Sequence, residues 1–594
     1  MGVLGGEALV SHWPEEVLRV AITASGDPES RDVAATGIGR FVPGVVAFRT
    51  YERRWLSDDL VAGLVLAAIL VPQGMAYAEL AGLPVVTGLY TTMACLVAYA
   101  VMGPSRVLVL GPDSSVSPLI FAAITPLVVA GDDPAKAITL AGMMALLVGG
   151  IEILLGVARL GFVADLLSKE VQVGYMNGLA VTIIVGQLPK LCGFSTDADG
   201  FVEELKAFVS DFHERNSTAL TIGILTIVVM LVLPRITRAV PAVLVAVVGA
   251  TVVTALFDLD VVTVGALPQG LPRPEVPWTD FSDVGPLLAA AAGITLVSLT
   301  DTIATSTSFA ARRGDEVDAN QEMIGLGSAN IAAGFFQGFA VSTSGSRTAV
   351  AEQSGAKTQL TGVVGAVSVA LLLVLFPSVL ADLPQAALAG VVICAALSLA
   401  DVAALGRYWR VRKSAFFLSL VTTAGVIFFG VLEGILAAVA LSVVLFFQRN
   451  WWPHGEVLGL LEGENEWHSV RTNPTATPRP GLVVYRWEAP LFFANSSIFR
   501  QQVRHHVRKN RPAWVILQCE AITDIDVSAA DMLERLDLEL NEEGVHLAFV
   551  ELRTRLRSLL DNYGLLGTLD RDHFYDSIDE ALAAIDGDQA TAGE

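Results

Sequence analysis

Two interrupted stretches in the hydrophobic part of this chain carry the residue types expected of an anion-binding site. Residues 109–117 read VLGPDSSVS and residues 340–348 read AVSTSGSRT. Each places glycine, proline or serine where an apolar span would otherwise be continuous, and such breaks at corresponding positions of two halves are typical of a transporter's binding site. The second stretch contains Arg347, a basic residue that we expect deep in the bilayer. A buried cation beside a broken helix suggests a function, and its natural ligand is an anion.

An acidic residue in a neighbouring span could couple a cation to this site. Asp301 lies inside residues 298–306 (SLTDTIATS), and a charge in mid-span costs at least about 2.5–3.5 kcal/mol, so it needs a partner or a purpose. Thr305 is four residues further on, on the same helical face, and the two side chains offer oxygen atoms that suit Na⁺. Equally, Asp301 could be a proton switch that holds Arg347 when ionised and releases it when protonated. A purely structural pair of Asp301 with Arg347 is the third possibility.

The composition places these residues in a membrane protein. Of 594 residues 53% are hydrophobic and 16% charged, and the mean hydropathy is +0.58. From residue 59 to residue 447 the chain is a series of apolar runs, each able to cross a hydrocarbon core about 30 Å thick. The net charge of −22 argues against a nucleic-acid partner. The four cysteines have no paired spacing, so neither a disulfide framework nor a zinc site is predicted, and no cofactor is expected.

About fourteen apolar segments can be distinguished. They are residues 60–80, 86–102, 107–123, 138–157, 171–188, 219–233, 240–257, 287–309, 323–339, 342–352, 360–380, 386–399, 415–431 and 434–447. Basic residues follow the even-numbered segments, among them Arg106, Arg159, Arg235, Arg312 and Lys357, whereas the intervening loops are acidic or neutral. This alternation satisfies the positive-inside rule with both termini in the cytoplasm. Glu152 and Glu433, the other acids in or near spans, are interpreted as packing or interface residues.

A small α/β domain is predicted after the last span. Residues 481–486, 512–519 and 545–551 have strand character, and residues 496–509, 528–541 and 553–560 have helical periodicity. Strands that alternate with helices over roughly 110 residues indicate a domain able to fold alone. The predicted organisation is a mobile tail over 1–40, a transmembrane domain over 41–450 that starts with an interfacial segment, a polar linker over 451–480, the α/β domain over 481–587 and a tail over 588–594.

Several motifs resemble the sulfate permease (SulP) family of anion transporters. They are residues 71–81 (VPQGMAYAELA), 87–91 (TGLYT), 110–114 (LGPDS), 320–330 (NQEMIGLGSAN) and 346–356 (SRTAVAEQSGA). The C-terminal domain resembles a STAS domain, since residues 522–533 (ITDIDVSAADML) match its strand-to-helix segment. The resemblance implies a polytopic α-helical membrane protein with a seven-plus-seven inverted repeat, core and gate subdomains, and a cytosolic STAS domain. It also implies a homodimer, which we expect in the inner (plasma) membrane.

The resemblance further implies that the third and tenth segments are half-helices whose N-termini meet near the bilayer midplane. Each such N-terminus offers unpaired N–H groups and roughly half a positive charge. The predicted anion-binding residues are Gln73, Asp113, Ser114, Ser115, Ser344, Gly345, Ser346 and Arg347. Asp113 would repel an anion unless it is protonated or paired, so it either pairs with Arg347 or caps its own half-helix, and capping is the favoured role. Close helix packing alone would also explain one such break, but not readily two.

The main functional prediction is a secondary active transporter of an inorganic anion. We expect proton-coupled symport of sulfate by an elevator-like, alternating-access movement of the core. Coupling to H⁺ is favoured over Na⁺ because Arg347 would repel a sodium ion beside it. Sodium-coupled bicarbonate symport and proton-coupled C4-dicarboxylate symport remain alternatives, as does a membrane anion sensor that signals through the STAS domain. An enzyme is not expected, because the spans contain no metal-ligand set and no activated serine, and the chain has no standard nucleotide-binding glycine loop.

The STAS resemblance also suggests a regulatory position. STAS domains resemble anti-sigma-factor antagonists, in which a serine or threonine at a helix start is phosphorylated or contacts a partner. Ser528, which follows Asp526 and Val527, is the candidate here. As a helix N-cap its hydroxyl would be fully explained by structure, and Ala529 stands where relatives often have glycine. A role of the domain in dimer contacts, trafficking and coupling to the gate is therefore favoured over regulation.

Overall fold

The chain forms two compact units. The computed structural model describes residues 42–128, 133–196, 200–237, 241–268, 270–461, 466–569 and 573–591. The division falls between Ser442 and Val443. The first unit is helical and the second is an α/β domain. The mobile tail predicted over residues 1–40 lies outside the described residues.

The helices of the first unit follow the predicted apolar segments. They are α1 (Pro43–Arg49), α2 (Leu56–Leu80), α3 (Val85–Met102), α4 (Ser117–Ile124), α5 (Pro134–Val157), α6 (Lys169–Leu191), α7 (Phe201–Asp211), α8 (Ser217–Ile236), α9 (Ala242–Phe257), α10 (Phe281–Arg313), α11 (Ala319–Phe335), α12 (Gly345–Gln353), α13 (Leu360–Leu375), α14 (Pro377–Ala381), α15 (Gln385–Leu399), α16 (Val402–Val411), α17 (Lys413–Phe429) and α18 (Val431–Trp451). Each of the fourteen predicted segments overlaps one of these helices. Seven described helices are long and apolar enough to cross a membrane, and five further apolar helices are shorter. A total of fourteen crossings stays a prediction.

Polar residues in the loops fix where several of these helices begin. Asp133, Asn216 and Asp318 each accept hydrogen bonds from the first N–H groups of α5, α8 and α11. Such N-caps satisfy donors that have no partner inside the helix. The sequence analysis did not predict the amphipathic helices α7 and α16, because their apolar residues are too few to resemble a span.

The helices of the first unit pack in two groups. In group A, α2, α3, α5, α10, α11 and α13 pack together and contact the short helices α4 and α12. In group B, α6, α8, α9, α15 and α17 pack together, and α2 of group A also contacts α9 and α15. Glycines permit the closest approach in group A, since a Cβ on Gly149 of α5 would lie 2.5 Å from the carbonyl oxygen of Gly327 on α11. Packing of this kind is typical of helices in membranes.

The second unit is a six-stranded sheet covered by helices on both faces. Its strands are β3 (Gly455–Leu460), β4 (Trp467–Ser469), β5 (Leu482–Trp487), β6 (Trp514–Gln518), β7 (His546–Val550) and β8 (Phe574–Tyr575), in the order β4-β3-β5-β6-β7-β8. Strands β5 to β8 are parallel, and β3 is antiparallel to both β4 and β5. Its helices are α19 (Ser496–Asn510), α20 (Val527–Glu542), α21 (Thr554–Asn562), α22 (Leu565–Thr568) and α23 (Ile578–Thr591). Helices α19, α20 and α21 cover one face of the sheet and α23 covers the other.

The structure confirms three predicted strands and three predicted helices of this unit and corrects its borders. The stretch predicted as a polar linker over residues 451–480 contains β3 and β4, so the linker prediction is wrong there. These two strands lie at one end of the sheet, and Leu458 of β3 is buried among the core residues of the α23 face. Helix α23 continues past residue 587, the predicted end of the domain, to Thr591.

Candidate functional site

The two interrupted stretches lie side by side and are joined by a short sheet. Strand β1 (Leu110–Gly111) pairs in antiparallel fashion with β2 (Ser342–Thr343), and Leu110 lies opposite Thr343. The backbone N–H of Ser344 donates to the carbonyl of Val109 at 3.1 Å, and the Val109 N–H donates to the Thr348 hydroxyl at 3.1 Å. Helices α4 and α12 follow these strands, so the pairing holds the starts of both short helices at one place in group A.

Arg347 lies in the first turn of α12 and is 1% exposed. Its Nη2 atom lies 3.6 Å from Oδ1 of Asp113, which makes an ion pair but not a hydrogen bond. All three guanidinium nitrogens are buried and have no hydrogen-bond partner among the residues that the structure describes. Buried donors without acceptors cost about 1–3 kcal/mol each, more when charged. The prediction that Arg347 is a buried cation at a helix break agrees with this placement.

Asp113 pairs with Arg347, whereas the prediction that it caps its own half-helix is wrong, because the N-cap residue of α4 is Val116 and no side chain caps this helix. Its Oδ2 atom accepts hydrogen bonds from the N–H and the hydroxyl of Ser115, at 3.0 and 2.9 Å. Its carbonyl accepts from the N–H and the hydroxyl of Ser117, the first residue of α4. Its other carboxylate oxygen faces Arg347. The N–H and the hydroxyl of Ser115 both donate to Asp113 and are therefore not available to an anion. The donors that remain available are those at the N-terminus of α12.

The start of α12 is open toward the site. The N–H of Thr348 donates to the carbonyl of Ser344, so the N–H groups of Gly345, Ser346 and Arg347 form the unpaired first turn. The hydroxyls of Ser344 and Ser346 lie 3.1 Å apart, and no atom lies within 4 Å of the position that a Cβ on Gly345 would occupy. This helix end can donate several hydrogen bonds to an anion.

Two more predicted residues, Ser114 and Gln73, and one that was not predicted, Tyr77, belong to this part of group A. Ser114 is buried beside Asp113. The side-chain oxygen of Gln73, on α2, is buried without a hydrogen-bond partner in the described part of the chain. Tyr77 lies one helical turn from Gln73. Its hydroxyl interacts electrostatically with Asp113 and Arg347 and forms a hydrogen bond with the Ser114 side chain. Tyr77 lies inside the motif of residues 71–81, but the sequence analysis did not predict a role for it.

Asp301 lies near the site but is not the ion-pair partner that Arg347 has in this structure. Its Oδ1 accepts a hydrogen bond from the Gln172 side chain of α6 at 3.3 Å, and it interacts with Asp113 and with the Ser115 hydroxyl. The ion pair of Arg347 is with Asp113. Thr305 lies one turn further along α10 and is half-buried. The structure thus brings Asp301 close to Asp113 and Ser115, two of the predicted anion-binding residues.

Helix α6 contributes two residues that the sequence analysis missed. Gln172 and Tyr175 are three residues apart, hence on one helical face. The Tyr175 side chain is fully buried, its hydroxyl has no hydrogen-bond partner among the described residues, and it interacts electrostatically with Asp301 and Asp113. Two polar side chains on one face of a predicted span were a usable signal. Because α6 belongs to group B, both groups of helices contact the site.

A cavity of about 520 Å³ lies between the residues before the first break and the loop after α10, and its lining includes none of the predicted site residues. It is lined by Ser105 and Arg106 before the first break, by Ser306 and Phe309 on α10, and by Glu322 on α11. The loops on this side carry Arg106, Arg312 and Arg313, which the charge pattern assigns to the cytoplasm.

In the second unit the structure corrects the cap of α20. Its N-cap is Asp526, whose side chain accepts hydrogen bonds from the N–H groups of Ala529 and Phe493, both at 2.8 Å. The prediction that Ser528 caps this helix is wrong, because Ser528 lies inside the first turn with its side chain exposed. Its exposure leaves the hydroxyl accessible at the helix start.

Comparisons with known proteins agree with this architecture. The model of the sulfate permease family matches residues 56–422, and that of the STAS domain matches residues 473–581. A probable sulfate transporter of Mycobacterium tuberculosis is 40% identical over 549 residues, which cover 92% of this chain and 98% of that protein. The chloroplastic sulfate transporter 4.1 of Arabidopsis thaliana is 30% identical over 556 residues, covering 90% and 81%. The structure of the murine solute carrier 26 family member A9 anion transporter in the inward-facing state matches with a TM-score of 0.85 at 22% identity, covering 99% of this chain and 100% of that chain.

Proposed function

Because the chain belongs to the sulfate permease family of membrane anion transporters, we propose that it carries sulfate by proton-coupled symport. The two relatives named above are a probable sulfate transporter and a chloroplastic sulfate transporter, which supports sulfate as the anion. The proposed site consists of Gln73, Ser114 and the first turn of α12 with Arg347.

The observation that carries the proposal is the state of the Arg347 guanidinium group. It is buried beside the unpaired N-terminus of α12, and its three nitrogens have no acceptor among the described residues. An oxyanion would satisfy several of these donors at once, and the planar fork of arginine suits such an anion. The small side chains of the first turn let the anion approach the backbone.

Charge balance supports symport with a cation. Two carboxylates, Asp113 and Asp301, lie close enough to interact, and one guanidinium, that of Arg347, lies beside Asp113. A dianion that enters this group of charges meets net repulsion unless a positive charge enters too. A proton on Asp301 supplies that charge without occupying space next to Arg347, whereas Na⁺ bound by Asp301 and Thr305 would be repelled by the guanidinium.

We further propose an elevator-like movement in which group A slides against group B. The supporting observation is that the two breaks are tied together inside group A, whereas α6 of group B supplies separate contacts. Both termini in the cytoplasm, a location in the plasma membrane and a homodimer complete the proposal.

Uptake of labelled sulfate into proteoliposomes tests the proposed function. We expect accumulation driven by an inward proton gradient without sodium, and loss of that gradient dependence in Asp301→Asn. Accumulation that instead requires sodium and bicarbonate would refute proton–sulfate symport and would make Asp301 with Thr305 a sodium site. An Arg347→Ala variant that transports normally would refute the anion site itself. Retained partner binding without flux in the wild-type protein would favour the sensor.

A further inference from the structure

The carboxyl group of Glu152 lies outside the anion site, yet its contacts lead to both charged side chains of that site. Glu152 is on α5 and is 0% exposed. One of its oxygens accepts a hydrogen bond from the Ser298 hydroxyl at 2.7 Å, and the other accepts from the Asn330 amide at 2.8 Å. Within the described ranges no lysine or arginine pairs with it. The sequence analysis interpreted Glu152 as a packing or interface residue, but neither role alone requires a buried carboxyl group that bridges two helices by hydrogen bonds.

One branch of this network reaches the helix that carries Arg347. The side-chain nitrogen of Asn330 donates a hydrogen bond to Glu152. The side-chain oxygen of Asn330 accepts one from the backbone N–H of Val341 at 2.7 Å. Val341 directly precedes β2, and α12 begins three residues after Ser342. Because β2 has only two residues, few contacts determine where α12 starts. The bond to Val341 is one of them, and its geometry depends on how Glu152 orients the amide.

The other branch reaches the helix that carries Asp301. Ser298 is on α10, three residues before Asp301 and hence about one turn away. The next contact along α10 is between the hydroxyls of Thr302 and Thr343, at 3.4 Å. Helix α10 is therefore held to β2 directly by this contact and indirectly through Glu152.

We propose that Glu152 is a positioning residue for the anion site. By bridging Ser298 and Asn330, its carboxyl group fixes the spacing between the helix that carries Asp301 and the half-helix that carries Arg347. The bridge depends on the length of the Glu152 side chain and on its two hydrogen bonds, and a negative charge on the carboxyl group is not required. The effect on transport rests on the proposed function, whereas the effect on the backbone at Val341 does not.

The matched variants Glu152→Gln and Glu152→Asp separate reach from charge. A glutamine has the same length as glutamate. We expect its side-chain oxygen to accept from Asn330 and its side-chain nitrogen to donate to the Ser298 oxygen. The Ser298 hydroxyl then donates to the Thr295 carbonyl, which lies 3.1 Å away. An aspartate keeps the charge but is shorter by one carbon–carbon bond, about 1.5 Å. It therefore cannot reach both partners.

The first readout is the KM for sulfate in proteoliposomes, measured per folded, monodisperse transporter. We expect Glu152→Gln to stay within about twofold of wild type, and Glu152→Asp and Glu152→Ala to raise the KM about tenfold, which corresponds to about 1.4 kcal/mol. Glu433→Gln, at an exposed acid of α18, is the control and should not change the KM. A Gln variant as impaired as the Ala variant would overturn the proposal in favour of a role for the charge or a proton. Normal KM in all three variants would overturn it as well.

The second readout does not depend on transport. Hydrogen exchange of the segment that contains Val341 should be faster in the Asp and Ala variants than in wild type, and unchanged in the Gln variant. If the wild-type protein takes up no sulfate, the proposed function fails and this exchange pattern alone decides the role of Glu152. Equal exchange in wild type and in Glu152→Ala would refute the role whatever the transport result.

Discussion

Replacing Gly111 with alanine should weaken anion binding, because the new methyl group would press on Arg347. A Cβ on Gly111 would lie 2.9 Å from Nη1 and 3.4 Å from Cζ of Arg347. Atoms in ordinary contact are about 3.5 Å apart, so the guanidinium must move by about half an ångström. Its side chain is 0% exposed and has Asp113 next to it, so the movement shifts the cation relative to the first turn of α12.

The size of the effect follows from the geometry. A misplacement of about 1 Å in a binding site costs roughly a hundredfold in activity. A displacement of about half an ångström should therefore raise the KM for sulfate about tenfold. Overpacking of this kind costs about 1–3 kcal/mol of stability, which a folded transporter tolerates. Gly111 is a strand residue in β1, and alanine can adopt extended backbone there.

Sulfate uptake by purified protein in proteoliposomes, with thermal unfolding in detergent, provides the assay. Gly249→Ala is the control, since a Cβ there meets nothing within 4 Å. In an Arg347→Lys background, which lacks the guanidinium, Gly111→Ala should raise the KM by much less than tenfold. A wild-type KM in Gly111→Ala, or the same increase in both backgrounds, would refute the argument.

Three further predictions concern single contacts. Tyr175→Phe removes a buried hydroxyl beside the site and should raise the KM for sulfate several-fold with unchanged thermal stability; an unchanged KM would exclude the hydroxyl from binding. In the separately expressed second unit, Asp526→Ala should cost about 1–2 kcal/mol in urea unfolding, whereas Ser528→Ala should cost little, and the reverse order would contradict the assigned cap. Burial raises the pKa of Glu539, but hydrogen bonds from Arg500 and Arg504 outweigh it and lower that pKa below its usual value. The pairs therefore stabilise the unit above the carboxylate's ordinary pKa, and the destabilisation by Arg504→Ala should fade as the pH falls below about 4. A destabilisation by Arg504→Ala that does not change as the pH is lowered would contradict this.

The sequence was sufficient to locate the two breaks and the buried Arg347, because their signals are local. Glycine, proline and serine inside an apolar run indicate a helix break whatever the rest of the fold is. A lone arginine within a buried span must itself be buried. The ion-pair partner of Arg347 was not predictable in this way. Asp113 and Asp301 are both acids near the site, and only the fold shows that Arg347 faces Asp113 while Asp301 accepts from Gln172.

Short elements were missed for a related reason. Strands β1 and β2 have two residues each, too few for any periodicity, although they set the position of both half-helices. In the second unit, β3 and β4 contain few apolar residues and appear as linker. Ser528 was chosen as the cap by residue type, but Asp526, two residues earlier, has the required extended backbone and the hydrogen bond to Ala529. A capping residue is identified by where the helix begins, which the sequence gives only to within a few residues.

The hydrogen bonds of the site restrict how an alternating-access movement could occur. The pairing of β1 with β2 ties α4 to α12, and Asp113 lies against Arg347 across that joint. Separating the two half-helices would break these contacts and leave buried backbone groups unpaired, at a cost of several kcal/mol in a membrane. An anion held at α12 must therefore move together with both half-helices and with α10. One contact between the groups that such a movement has to break is the hydrogen bond that Gln172 of α6 donates to Asp301. Whatever cation binds at Asp301 competes for that same carboxylate, so in the proposed cycle binding of the coupling ion and release of group A from α6 occur at one residue.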